Sequence, residues 1–144
     1  MIVLILLILP FIGAVLSALA GNKAANKIAL LSTVATLLLT AKTYYEFTTG
    51  TVASLDFSTQ WLQEPNIAFS LSIDGLTMVM LILTNLLVPI IVLSGLGASV
   101  QNSRAFYALI LLMQGALNGV FMASDGFVFY VFWELALIPI YFIA

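Results

Sequence analysis

Long apolar runs, separated by short polar segments, dominate the chain. A helix needs roughly 20 mostly apolar residues to cross about 30 Å of hydrocarbon. Five runs approach that length, and none holds more than two charged residues. The pattern therefore predicts an all-α integral membrane protein, one membrane domain over 1–144, with five transmembrane helices over 2–20, 28–47, 76–97, 105–123 and 126–144.

The first run has a second interpretation, because Ala18-Leu19-Ala20 resembles the small-residue site at which secretory signal peptides are cleaved. No Lys or Arg precedes Lys23, however, and the run is longer than the apolar core of a typical signal peptide. A retained first helix is the favoured interpretation.

The connection over 48–73 is the one long segment between the runs. Apolar and polar residues alternate over 54–58 and again over 67–74, with turn-forming residues between the two stretches. Alternation with a period of two is typical of a β-strand that is buried on one face. A short β-hairpin on the outer side is predicted, with an irregular loop anchored by Trp61 at the membrane interface as an equal alternative.

Composition agrees with a membrane protein and excludes several classes. Apolar residues make up 63% of the chain and charged residues 7%, against about 45–50% and about 25% in soluble domains. The net charge of −2 and the lack of Cys and His exclude disorder, nucleic-acid binding, a disulfide scaffold and the usual zinc, haem and iron–sulfur ligand sets. Phosphate loops and nucleophile–base pairs are also missing. The sequence predicts no cofactor-binding or metal-ligating residue and no redox or hydrolytic chemistry in this chain.

The basic residues predict an orientation. Lys23, Lys27 and Arg104 lie in the first and third connections, and positive charge marks the cytoplasmic side of a membrane protein, or the matrix or stromal side in an organelle. The N-terminus is then outside, and the fifth helix runs inward.

Glu134 is the one charged residue inside the fifth run. It follows Asp125 by nine positions, which places it roughly 13 Å into the membrane at 1.5 Å per residue. A carboxyl group at that depth is costly and usually faces a bundle interior or a water path. Burial favours its neutral form and a nearby cation its charged form, so a partner can switch it. Proton or ion handling is favoured over the alternative, a protonated side chain that bonds to a neighbouring helix.

Prolines occur in three of the predicted helices. Pro139 cannot donate a backbone hydrogen bond to Leu135, so the backbone beside Glu134 is loosened. Pro10 and Pro89 have the same effect in the first and third helices. Each proline alone is also consistent with a packing kink.

Small and amide residues share the fourth run at helical spacing. They are Gln114, Gly115, Asn118 and Gly119. Close helix packing is favoured for this group, and the alternative is that the amides order water near Glu134. In the first run, Gly13, Ser17 and Gly21 repeat the small-residue spacing and are assigned to packing.

Two further charged positions have structural interpretations. Lys42 is expected to anchor the second helix at the interface and to pair with Glu46 at i+4. Asp74 is expected to cap the third helix, with a place in an outer proton path as the alternative.

The string FVFYVFWELALIPIYF at 127–142 closely resembles the fifth-helix signature of the proton-channel subunits of respiratory complex I. Its FWE-x-x-LIP-x-Y core is most similar to the antiporter-like M chain, which is subunit 4 of the mitochondrial enzyme. The string LSIDGLT at 71–77 is similar to the start of that family's third helix, and LPFIG at 9–13 is typical of its first.

The resemblance implies an N-terminal fragment of a membrane subunit of proton-translocating NADH:quinone oxidoreductase. Glu134 matches the family's fifth-helix glutamate, a member of the proton-transfer path. The lysine coupled to that glutamate, two helices further on, lies outside this chain. No catalysis by this chain alone is implied, and NADH, flavin, iron–sulfur clusters and quinone belong to other subunits.

The resemblance also implies partners and a location. The partners are other membrane subunits of complex I, especially the neighbouring antiporter-like chains, and the lipid bilayer, with no nucleic acid. The location is a bacterial inner membrane, with an organellar inner membrane as the alternative. Two other functions stay open: a subunit of a multi-chain cation/proton antiporter, and a non-catalytic membrane scaffold.

Overall fold

The computed structural model describes residues 2–21, 23–49, 56–62, 67–95 and 103–143. Within them the chain forms five helices and one pair of strands. In chain order the elements are α1 (Ile2–Leu19), α2 (Ala25–Thr49), β1 (Asp56–Leu62), β2 (Ile67–Ser72), α3 (Gly75–Gly95), α4 (Ser103–Met122) and α5 (Gly126–Ile143). The second helix begins three residues earlier and ends two residues later than the apolar run at 28–47.

Three of the five helices in the described part of the chain are long and apolar enough to cross a membrane. They are Ala25–Thr49, Gly75–Gly95 and Arg104–Met122. In α1 and α5 the apolar stretches Leu4–Leu19 and Gly126–Phe142 are shorter. The helical integral membrane fold is confirmed, whereas five full crossings remain a prediction.

The fourth helix organises the bundle, because it packs against each of the other four. The first helix packs on α2 and α4, and α3 packs on α2 and α4. Among the described elements, the fifth helix packs extensively on α4 alone and touches β2 at a few residues. One long side of α5 is therefore open.

The two strands pair as the predicted hairpin, but β1 extends to Leu62 and so includes residues 60–62, which the sequence assigned to the turn. They pair antiparallel from Asp56 opposite Ser72 to Leu62 opposite Ile67, with an irregularity between Gln60 and Leu62. The turn at 63–66 and the side chain of Trp61 lie outside the described residues. Leu71 is fully buried. The apolar face that the alternating sequence of β2 predicts therefore packs against the end of the bundle.

The helix ends follow local hydrogen-bonding rules. Asp74 Oδ1 accepts a hydrogen bond from the Thr77 backbone N–H at 2.8 Å, which confirms the predicted cap. Bonds from the backbone and hydroxyl of Thr77 lower the pKa of the Asp74 carboxyl. Asp125 caps α5 in the same way, with the Phe127 N–H 2.9 Å from its Oδ1. Gly21 has φ +83° and ends α1 in the left-handed conformation typical of a helix C-terminus, so its assignment to helix packing was wrong.

Two apolar clusters fill the ends of the bundle. One includes Leu6, Leu71, Leu81 and Phe132 at the hairpin end. The other includes Ala29, Val92, Tyr107 and Leu111 at the opposite end. Between the two clusters, α3 and α4 bury polar side chains at Thr84, Asn85, Gln114 and Asn118.

Candidate functional site

Glu134 lies on the open side of α5. The packed side of the helix carries Val128, Phe132 and Ala136, which are buried. Residues two positions apart on a helix are about 200° apart around its axis, so Glu134 points away from that packed side. Its side chain is exposed.

Large apolar side chains surround Glu134 on the open side. Tyr130 is 59% exposed, Leu137 44% and Tyr141 79%. These positions lie at i−4, i+3 and i+7 from Glu134 and form one continuous face. Among the described residues no side chain forms a hydrogen bond or ion pair with Glu134. Within these five helices Glu134 therefore does not face the bundle interior, which is one of the two placements expected of a carboxyl group at that depth.

Polar side chains of four helices are buried in the bundle, and most of them lie along the chain between residues of the two apolar clusters. We call this the polar layer: Ser17 on α1; Ser32, Thr33, Thr36, Thr40 and Thr43 on α2; Thr84 and Asn85 on α3; and Gln114 and Asn118 on α4. Polar groups in the interior of a membrane protein are costly unless they bond to one another or to the backbone.

A chain of hydrogen bonds joins three helices within the polar layer. The Gln114 side-chain amide donates to Asn85 Oδ1 at 3.0 Å, and the Asn85 amide donates to Thr40 Oγ1 at 2.8 Å. The Thr40 hydroxyl donates to the Thr36 carbonyl, and the Thr36 hydroxyl to the Ser32 carbonyl, both at 2.8 Å. Asn85 is the centre of this chain, because it uses both ends of its amide.

Asn118 connects α4 to the backbone of α1, one turn before Pro10. Its Nδ2 lies 3.4 Å from the Leu6 carbonyl oxygen. In an uninterrupted helix that carbonyl would accept from the N–H of residue 10. Pro10 has no N–H, so Asn118 supplies the missing donor from a neighbouring helix.

Because Asn118 replaces the N–H that Pro10 lacks, replacing the proline should rescue the loss of Asn118. Asn118→Leu should destabilise the fold by about 0.6–1.7 kcal/mol, which runs from the average to the largest value for hydrogen bonds between membrane helices. Adding Pro10→Ala restores an N–H to the Leu6 carbonyl and should remove at least half of that loss. Thermal melting of the purified, complete subunit measures both. Gln114→Leu is the control and should gain nothing from Pro10→Ala; equal effects in the two backgrounds would refute the pairing.

Close approach at two glycines of α4 confirms the packing interpretation. A Cβ on Gly119 would lie 2.5 Å from the Phe132 ring of α5, and one on Gly115 would lie 3.0 Å from the Phe11 ring of α1. The same holds for Gly13, which packs against Ser32 of α2. The amides beside the glycines bond to α3 and α1, so the structure does not bring them together with Glu134.

Lys42 and Glu46 form the predicted pair. The Lys42 ammonium and a Glu46 carboxylate oxygen are 4.0 Å apart near the end of α2. Lys42 is largely exposed, as expected of an interfacial anchor.

The sequence interpretation missed Asn85 and the threonines of α2. Their signal was present, because Ser32, Thr36, Thr40 and Thr43 follow one another at spacings of four, four and three, which is one face of a helix.

The described residues bring no group of three acidic side chains together that could hold a metal ion. Together, the helical fold and the polar interior define a multi-helix integral membrane protein.

Comparison with known proteins gives the family. No protein-family profile matches the chain. It is 36% identical over 141 residues to the F(420)H(2) dehydrogenase subunit M of Methanosarcina mazei, covering 96% of this chain and 28% of that protein. It is 32% identical over 149 residues to the NADH-quinone oxidoreductase subunit M of Escherichia coli K12, covering 96% of this chain and 29% of that protein.

Solved structures agree. A chain of respiratory complex I from Thermus thermophilus matches with a TM-score of 0.78 and 31% identity, over 96% of this chain and 27% of that one. A chain of an archaeal membrane-bound sulfane sulfur reductase shares the fold at 19% identity, with a TM-score of 0.74, over 94% of this chain and 21% of that one.

These similarities show that the chain belongs to the antiporter-like, M-type membrane subunits of complex I, which confirms the resemblance at 127–142. The chain spans less than a third of the length of these relatives.

Proposed function

We propose that the chain is part of a proton-translocating membrane subunit of an NADH:quinone oxidoreductase, and that Glu134 is its proton-transfer residue. The observation that supports this proposal most directly is the position of Glu134 on the side of α5 that faces away from α4. Glu134 is the one charged residue of an otherwise apolar helix. A carboxyl group at that depth needs a partner. The remaining length of such a subunit supplies helices that cover this face.

The described helices do not themselves complete a proton path. The polar layer contains amides and hydroxyls, and neither gains or loses a proton readily near neutral pH. Its amides bond to α3 and α1 and not to Glu134. Proton transfer therefore uses Glu134 together with groups that pack on the open side of α5.

Five membrane crossings, a single membrane domain and an outside N-terminus belong to the same proposal. The two shorter helices, α1 and α5, have 18 residues each, within the range of about 17–25 that can span a bilayer. The location proposed is a bacterial inner membrane, or an organellar inner membrane as the alternative.

Electron transfer is assigned to other subunits. The relatives are named for different electron donors, F(420)H(2) in one and NADH in another. A membrane chain similar to both is therefore not the part that selects the donor. NADH, flavin, iron–sulfur clusters and quinone are bound by partner subunits, and neighbouring antiporter-like chains are the membrane partners.

Membrane vesicles test the function. A strain that lacks the subunit and a strain complemented with the complete subunit are compared for NADH-driven proton uptake and quinone reduction. Complementation should restore both. Sodium-dependent proton exchange without NADH would instead identify a cation/proton antiporter subunit, and normal proton uptake in the deletion strain would leave a scaffold role.

A further inference from the structure

An apolar groove runs along the surface between α1 and α2. Its volume is about 230 Å³. Its walls are Leu9, Ile12 and Leu16 of α1 and Ile28, Leu31 and Ala35 of α2, with Ser32 also lining it. Gly13 allows α1 to approach Ser32 closely, and the two helices form the sides of the groove above this contact.

The groove is short enough to fit within one leaflet. Its α2 wall extends from Ile28 to Ala35, about 10 Å along the helix axis. Half of the hydrocarbon core measures about 15 Å. The groove therefore lies within the half of the membrane next to the start of α2.

Basic residues lie at the mouth of the groove, which is the end next to the start of α2. Lys27 is exposed and lies at i−4 from Leu31 and i−8 from Ala35, so all three share one ridge of α2. Lys23 is exposed in the turn before the helix. Of the six acidic residues, five lie in or beside the second and fourth connections, and the sixth is Glu134 on α5. The charge at this mouth is thus positive, and no acidic residue lies near these lysines in the sequence.

We propose that this groove binds an anionic phospholipid. One acyl chain lies along the apolar walls, and the phosphate at the membrane surface is bound by the ammonium groups of Lys23 and Lys27. Lysine stems can pack along apolar surface while the charge reaches the headgroup level, and basic residues at the surface attract anionic lipids. The binding is independent of Glu134 and of proton transfer.

Lipid binding to the purified complex, followed by native mass spectrometry, tests the proposal. Dioleoyl phosphatidylglycerol and dioleoyl phosphatidylcholine are added separately, so that acyl chains are equal and only the headgroup charge differs. Phosphatidylglycerol should bind with clear preference. The double variant Lys23→Gln and Lys27→Gln should weaken it by roughly 25-fold, since each basic residue contributes about a fivefold attraction.

Two matched variants separate the parts of the site. Lys42→Gln removes the same charge from the other end of α2 and should leave the binding unchanged. Ala35→Trp fills the groove and keeps both lysines, and it should also displace the lipid. Equal loss in the Lys42 variant, equal binding of phosphatidylcholine, or undisturbed binding in the Ala35 variant would each overturn the proposal. The proposal would also be overturned if neither lipid bound because another helix of the subunit fills the groove.

Discussion

Replacing Glu134 by glutamine is expected to reduce proton translocation coupled to quinone reduction by roughly a hundredfold. Glutamine has nearly the same shape but cannot exchange a proton, so it removes the charge switch alone. The buried contacts of α5 are made by Val128, Phe132 and Ala136 on the opposite side of the helix. Assembly of the complex should therefore survive.

The comparison is made in membrane vesicles at equal amounts of assembled complex. Glu46→Gln is the matched control, because it removes a carboxylate that lies at the end of α2 and pairs with Lys42. The control should keep full activity. Unchanged proton uptake and quinone reduction in the Glu134 variant would refute the assigned role.

Replacing Asn85 by leucine is expected to have the largest effect on stability. Asn85 bonds to both Gln114 and Thr40 in the bundle interior, and its loss leaves a buried amide without its acceptor. Two interhelical bonds in a membrane contribute about 1–3 kcal/mol together. The melting temperature of the purified subunit should fall, and less of it should assemble.

A double variant makes this prediction specific. Removing both partners of a buried hydrogen bond costs less than removing one of them. Asn85→Leu combined with Gln114→Leu should therefore be more stable than the sum of the two single losses. Leu86→Ala, at a half-exposed neighbouring position, should change little. Strict additivity, or an Asn85 variant as stable as the wild type, would contradict the role of Asn85 in the polar layer.

The elements of the fold were largely predictable because their signals are local. Apolar runs gave the helices, and alternation over 67–74 gave β2 and its buried Leu71. Asp74 as a cap and Lys42 with Glu46 as a pair also depend on neighbours within four residues. Such contacts follow from helix geometry alone.

The rotation of each helix was not predictable, because it depends on contacts between distant parts of the chain. The fifth helix is apolar on all sides except at Glu134, so its sequence does not indicate which side packs. The contact of Gly119 with Phe132 fixes that rotation and turns Glu134 outward. The threonines of α2 were overlooked because their hydroxyls bond to their own helix and reduce the apolar character of the run only slightly.

Infrared difference spectroscopy of the assembled complex, with and without electron donor, tests the central claim most directly. If Glu134 changes protonation during turnover, a carboxylic-acid band should change when NADH is added, and this change should be missing in the Glu134→Gln variant. Identical difference spectra in the two proteins would show that Glu134 keeps one protonation state and is not a proton-transfer residue.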